Sequence, residues 1–283
     1  MRARRSPWGG AILAAVLAGV LATPARAEEF VFSGVVKPRQ RVVVSTYLDG
    51  VVRKVNFSGG EMVEVGQVLA ELDARRLEID VRGAEAALAE ASAQLRAASD
   101  AAQREQDLLD HGSGSRVRAL KTAVDRDIAT AHVAQAQADL DAARLDLDHS
   151  RITAPIRGRI GAPMLAPGAY AEAKADSELA EITSVDPVEV DYGVPWSIRM
   201  QALALVGAKD VQQVFAQTVL TLELPDGSIY PIPGRPEYES ARIDPQSGTI
   251  MVRALFDNPD NVLVPGLEVR VHSQVGAVSP ALR

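Results

Sequence analysis

Two stretches of the same character and nearly the same length, Arg76 to Asp110 and Val117 to Ser150, flank His111-Gly112-Ser113-Gly114-Ser115. In the first, Leu77, Val81, Ala84, Leu88, Ala91, Leu95, Ala98 and Ala102 alternate steps of four and three. That is the spacing of a heptad seam in which branched side chains meet alanines. In the second, Ala129, Val133, Ala136, Leu140, Ala143 and Leu147 keep the same steps. A short Gly/Ser break permits only an antiparallel return, so the spacing predicts a coiled-coil hairpin over 75–150 whose partner is the chain itself. A helix of about 35 residues at 1.5 Å rise reaches roughly 50 Å, longer than any compact core requires.

A second stripe runs along the returning helix. Val117, Val124, Ala131, Ala138 and Leu145, continued by Ile152, recur every seven residues on another face. Either the stripe widens the same seam or a neighbouring protomer packs on it, which makes these five helical positions the candidate protomer interface.

Residues 1–27 read as a secretory signal peptide: Arg2, Arg4 and Arg5 form a basic start, Ala11 to Ala22 an apolar run, and Ala25-Arg26-Ala27 a small-x-small cleavage site. The run is too short for a comfortable membrane span. The expected location is the periplasm, with an uncleaved anchor as the alternative. The net charge is −7, and the four Arg within 1–27 make the remainder more acidic still, which argues against nucleic acid as a partner. With no cysteine, neither disulfides nor thiolate chemistry enter.

Between 30 and 73 the period changes. Val42-Val43-Val44, Val51-Val52, Val55 with Phe57, Met62-Val63 and Val68-Leu69 are cut by Asp49-Gly50, Gly59-Gly60 and Gly66, which describes short strands joined by tight turns. The same texture resumes at Ile152 and runs to Ile182, so the hairpin is expected to interrupt one β sandwich whose halves, 28–74 and 151–184, the antiparallel return delivers side by side. From 185 to 275 further strand patterns and one short helix from Trp196 predict a six-stranded β barrel, followed by a patternless tail, 276–283. The expected class is mainly β with a long α-helical hairpin.

At these residues the sequence resembles the periplasmic adaptors, or membrane fusion proteins (HlyD-like), of tripartite efflux pumps built on RND-type transporters. Asp49-Gly50-Val51-Val52 through Leu72-Asp73 is similar to the first lipoyl half-motif, and Ile152-Thr153-Ala154-Pro155-Ile156-Arg157-Gly158-Arg159-Ile160-Gly161 with Pro167-Gly168 to the second. Asp186-Pro187-Val188, Asp244 to Thr249, Arg253 to Phe256, Asn258 and Leu263 to Leu267 follow the family's barrel pattern in order. Members that dock a TolC-type outer-membrane channel share an Arg, a Leu four later and a Ser seven after that; Arg104, Leu108 and Ser115 stand at those spacings. The resemblance implies an adaptor with three partners: an inner-membrane RND transporter, a TolC-type channel and itself, as trimer or hexamer. In it, Arg104 would offer a forked donor, Leu108 would fill a groove and Ser115 would cap the returning helix. The family's membrane-proximal domain, built from both chain ends, is expected to be missing.

Other function classes find little support. The four His are scattered, and no HExxH, GxSxG or P-loop occurs, so no catalytic residue is expected. A covalent lipoyl or biotin carrier needs a Lys at the turn where the hairpin stands, and Lys54 and Lys174 lie elsewhere. A passive coiled-coil spacer would not explain the split sandwich. Met62, Met164, Met200 and Met251 are too dispersed to suggest a metal site, and no cofactor is expected. With aromatics at 4% and none clustered, no small-molecule pocket is expected either.

Overall fold

The computed structural model describes residues 28–173 and 177–276; the signal-peptide reading, Lys174 and residues 277–283 fall outside the described residues. The first strand, β1 (Glu28–Pro38), corrects the boundary drawn at 28–74. It pairs antiparallel with β14 (Glu268–Val275), from Glu28↔Val275 to Val35↔Glu268, and with β10 (Val188–Pro195), from Gly34↔Tyr192 to Pro38↔Val188. Residues 28–38 therefore belong to the barrel. Their alternation turns Phe32, Gly34 and Val36 inward, a pattern that suits either β body, and the choice is made by partners far along the chain.

The sandwich begins after β1. One sheet has the order β2 (Arg41–Ser45), β9 (Glu178–Thr183), β7 (Gly158–Ile160), β4 (Met62–Val63); the other has β6 (Arg151–Thr153), β5 (Val68–Leu72), β3 (Gly50–Val55), β8 (Tyr170–Ala171). Each sheet takes strands from both halves of the sequence, so neither half can close a core alone. Val52, Val63, Leu69, Ile160, Leu179 and Ile182 fill the space between them.

The hairpin, α1 (Arg75–Asp110) and α2 (Arg116–His149), stands between β5 and β6. These two strands are hydrogen-bonded neighbours, with Ala70↔Ile152 and Glu71↔Arg151 in register, and the Leu72 N–H donates to the Ser150 carbonyl at 2.8 Å. A rod thus occupies the place of a tight turn.

The barrel sheet has the order β11 (Thr218–Glu223), β14, β1, β10, β13 (Thr249–Phe256), β12 (Arg235–Ile243). Leu220 and Gly234 exchange backbone hydrogen bonds at 3.1 and 2.8 Å, which narrows the gap between the first and last strands. Two helices, α3 (Trp196–Leu205) and α4 (Val211–Phe215), cover one end, and Asp210 caps α4 by accepting from the Gln213 N–H at 3.0 Å. At the other end the buried Asn258 ties barrel to sandwich. Its amide donates to the carbonyls of Val185 (2.7 Å) and Leu263 (2.9 Å), its side-chain oxygen accepts from Leu263 N–H, and its own N–H donates to Asp186.

Candidate functional site

The hairpin tip is built by local backbone chemistry. α1 stops where Gly112 adopts a positive φ of 77°. The Gly112 and Ser113 N–H groups then return to the Leu109 and Leu108 carbonyls at 3.0 and 2.9 Å, the paired bonds of a Schellman stop. At Gly114 a Cβ would overlap the Leu109 backbone, so the return is tight only because that position lacks a side chain.

Below the tip, the seam runs as its spacing predicts. Ala91, Ala102, Ala129 and Leu140 are buried, and Leu77, Val81, Ala84, Leu88, Leu95, Ala98, Val133, Ala136, Ala143 and Leu147 are half-buried. The heptad continues past Ala102 to Glu105 and then Leu109. A Glu105 carboxylate oxygen is buried without a hydrogen bond, with Arg118 Nε of α2 3.5 Å away. Attraction across that gap, together with Arg144 to Glu85 at 3.0 Å, helps hold the helices in register.

Leu109 occupies the seam, which leaves Leu108 outside it: Leu108 is 45% exposed and Arg104 is exposed one turn earlier. Neither side chain is used by the hairpin's own packing. Ser115 is the N-cap residue of α2, and its carbonyl accepts the first helical bond from Ala119 N–H at 3.0 Å. Its hydroxyl makes no capping hydrogen bond, contrary to the expected role. At an exposed tip the first helical N–H groups are solvated, so the cap is dispensable there.

The second stripe is not a widened seam. Val117 is 78% exposed, and Val124, Ala131, Ala138 and Leu145 are exposed as well. Leu120 and Ile128, which strict sevens overlook, are exposed on the same side of α2. Mixed steps of three and four would have found them. Toward the tip the returning helix therefore carries an apolar face with no partner inside the chain.

The barrel overturns the expectation about aromatics. Phe30, Phe32, Tyr192 and Phe215, far apart in sequence, surround one cavity beneath α3 and α4. At its rim Arg199 forks onto Glu239 at 2.8 and 2.9 Å and lies 5.1 Å from the Trp196 ring centre; the carboxylate bond raises the Arg199 pKa. One cue was available. α3 reads Trp-Ser-Ile-Arg-Met-Gln-Ala-Leu-Ala-Leu, apolar on nearly every side, as a helix over a cavity requires.

Among the described residues, no group of three or more His, Asp and Glu is placed to hold a metal, and no helix is long and apolar enough to cross a membrane. Lys54 lies in mid-strand in β3, away from the root of the hairpin.

Compared with known proteins, residues 40–183 match the RND MFP barrel-sandwich hybrid domain and residues 198–277 the RND MFP beta-barrel domain. The solvent efflux pump periplasmic linker SrpA of Pseudomonas putida is 31% identical over 84% of this chain and 59% of its own length. The multidrug resistance protein MexA of Pseudomonas aeruginosa is 28% identical over 84% and 59%. Among solved structures, MacA of Actinobacillus actinomycetemcomitans superposes with a TM-score of 0.64 at 17% identity, covering 88% of this chain and 79% of that one, a likeness of fold. The chain spans about three fifths of the length of the curated relatives it matches.

Proposed function

Because the chain belongs to the RND membrane fusion protein family, we propose that it is a periplasmic adaptor that couples an inner-membrane RND-type transporter to a TolC-type outer-membrane channel and so supports efflux. Relatives carry the names of periplasmic linkers and efflux pump subunits. The observation that carries the reading for this chain is the tip. A rod of 36 and 34 residues, about 50 Å long, ends in an exposed Leu108 and Arg104 that its own packing does not use.

In this reading Leu108 fills a groove in the channel's periplasmic end, Arg104 offers its fork to carbonyls or carboxylates there, and the free Ser115 hydroxyl is a further donor. The face formed by Val117, Leu120, Val124 and Ile128, with Ala131, Ala138 and Leu145 further along, meets the neighbouring hairpin in a ring of three or six copies. The leader-like 1–27 directs export to the periplasm. The adaptor performs no chemistry of its own: the turn at which a lipoyl or biotin carrier would present its Lys is taken by the hairpin.

The test uses the whole protein expressed with its transporter and channel. A double Arg104→Glu, Leu108→Asp variant is expected to abolish efflux and channel crosslinking while its thermal melt and cellular level match wild type. Normal pumping by that variant would sink the docking assignment. Cysteines at Val124 and Ala131 report on the ring independently, through crosslinks between copies.

A further inference from the structure

The cavity beneath α3 and α4 has features that the packing of the barrel does not require. Phe30 and Phe32 of β1 and Tyr192 of β10 stack in succession, with ring centres 6.5 and 5.5 Å apart, while Ile198 and Leu203 of α3 and Phe215 of α4 close the remaining sides. The cavity measures about 50 Å³, room for a few waters, and opens through a mouth that brings the empty space to about 470 Å³.

Two hydroxyls line it unpaired. Tyr192 and Ser273 are each 5% exposed, yet neither side chain finds a hydrogen-bond partner among the described residues. Their neighbours behave otherwise: Thr218, on the same wall, donates to the Val214 carbonyl at 2.7 Å, and Tyr230, the other buried tyrosine, to the Asp257 carbonyl at 2.7 Å. A buried hydroxyl left unpaired loses its hydration for nothing, whereas one facing a wet or ligand-filled cavity does not. At the rim Arg199 and Glu239 satisfy each other, so the entrance offers no net charge to an ion.

We propose that this cavity is a binding site for a small neutral molecule, about one ring in size and mostly apolar, carrying one hydrogen-bonding group that meets the hydroxyls of Tyr192 and Ser273. The aromatic walls supply the apolar contact, and the two hydroxyls orient the occupant and select for its polar atom. The site is independent of the hairpin tip and stands whether or not that tip docks a channel.

Phenol and fluorobenzene, similar in size and differing in the hydroxyl, are the probes, titrated onto the whole protein and followed by saturation-transfer NMR and by the fluorine signal. Phenol is expected to bind at least fivefold tighter than fluorobenzene. Tyr192→Phe with Ser273→Ala should weaken phenol by roughly five- to tenfold, the effect of a lost hydrogen bond or two, and leave fluorobenzene unchanged. Ala202→Phe, and Ser273→Leu from the opposite wall, should fill the space and abolish both; unliganded melts identify whichever of the two remains folded. Absence of binding by both probes at millimolar concentration overturns the proposal. So does binding that survives in a folded, cavity-filled variant, or phenol affinity indifferent to loss of both hydroxyls.

Discussion

The sandwich and the hairpin it carries meet the same demand, burial of apolar surface, with opposite results. In the sandwich, Val52, Leu69, Leu179 and Ile182 are wholly buried, with strands from both halves of the sequence closing over them. In the hairpin, only Ala91, Ala102, Ala119, Ala129 and Leu140 are buried, while Ile79, Val117, Leu120, Val124, Ile128 and Leu145 face outward. Two helices can cover only one stripe each. The first region is complete within one chain; the second is complete only against something else.

The largest effect is expected where that completeness is broken. Leu179→Ala, at 0% exposure, should cost about 3–5 kcal/mol and lower the melting temperature of the whole β body. Leu140→Ala, the one buried leucine of the seam at 3% exposure, should cost about 2–3 kcal/mol and show as faster hydrogen exchange along α1 and α2, with the sandwich unaffected. Equal losses spread over both regions would mean that hairpin and sandwich unfold as one unit.

A smaller effect belongs to the barrel wall. His272 lies between Glu29 Oε1, 2.8 Å from Nδ1, and Glu223 Oε2, 3.0 Å from Nε2, with Arg270 also reaching Glu223. Hydrogen bonds to Glu29 and then Glu223 raise its pKa above the usual 6.5, since only the imidazolium donates to both. This contribution is fully present below pH 6.5 and disappears as the pH rises through the elevated folded value. The stability gap between wild type and His272→Gln, about 1 kcal/mol or less, should therefore close on going to alkaline pH; a gap that widens would contradict the assignment. Smallest of all, Leu108→Ala should change the melt by under about 0.5 kcal/mol, because the hairpin makes no use of that side chain.

What could be read from the sequence follows from how far apart the interacting residues lie. The seam was legible because Leu88, Ala91 and Leu95 are near neighbours along one helix, and the split sandwich because its turn glycines recur on both sides of the hairpin. β1 was misassigned because its partners are far along the chain at Val188–Tyr192 and Glu268–Val275, and alternation alone does not name a partner. The aromatic cavity was hidden for the same reason: Phe30, Tyr192 and Phe215 share no local pattern. At the tip, spacing placed Arg104, Leu108 and Ser115 correctly along the helices, but it could not tell that the Ser115 hydroxyl would stay free.

The root of the hairpin has a mechanical consequence. Both helices spring from one hydrogen-bonded pair of short strands, β5 and β6, so that narrow ledge alone fixes the direction in which the tip points. With a 36-residue helix as a lever of about 54 Å, one degree of tilt at the ledge swings the far end by about 1 Å. Aim, more than reach, is then the demanding variable, and the side-by-side company of other rods is a means of holding a bearing that a single ledge cannot.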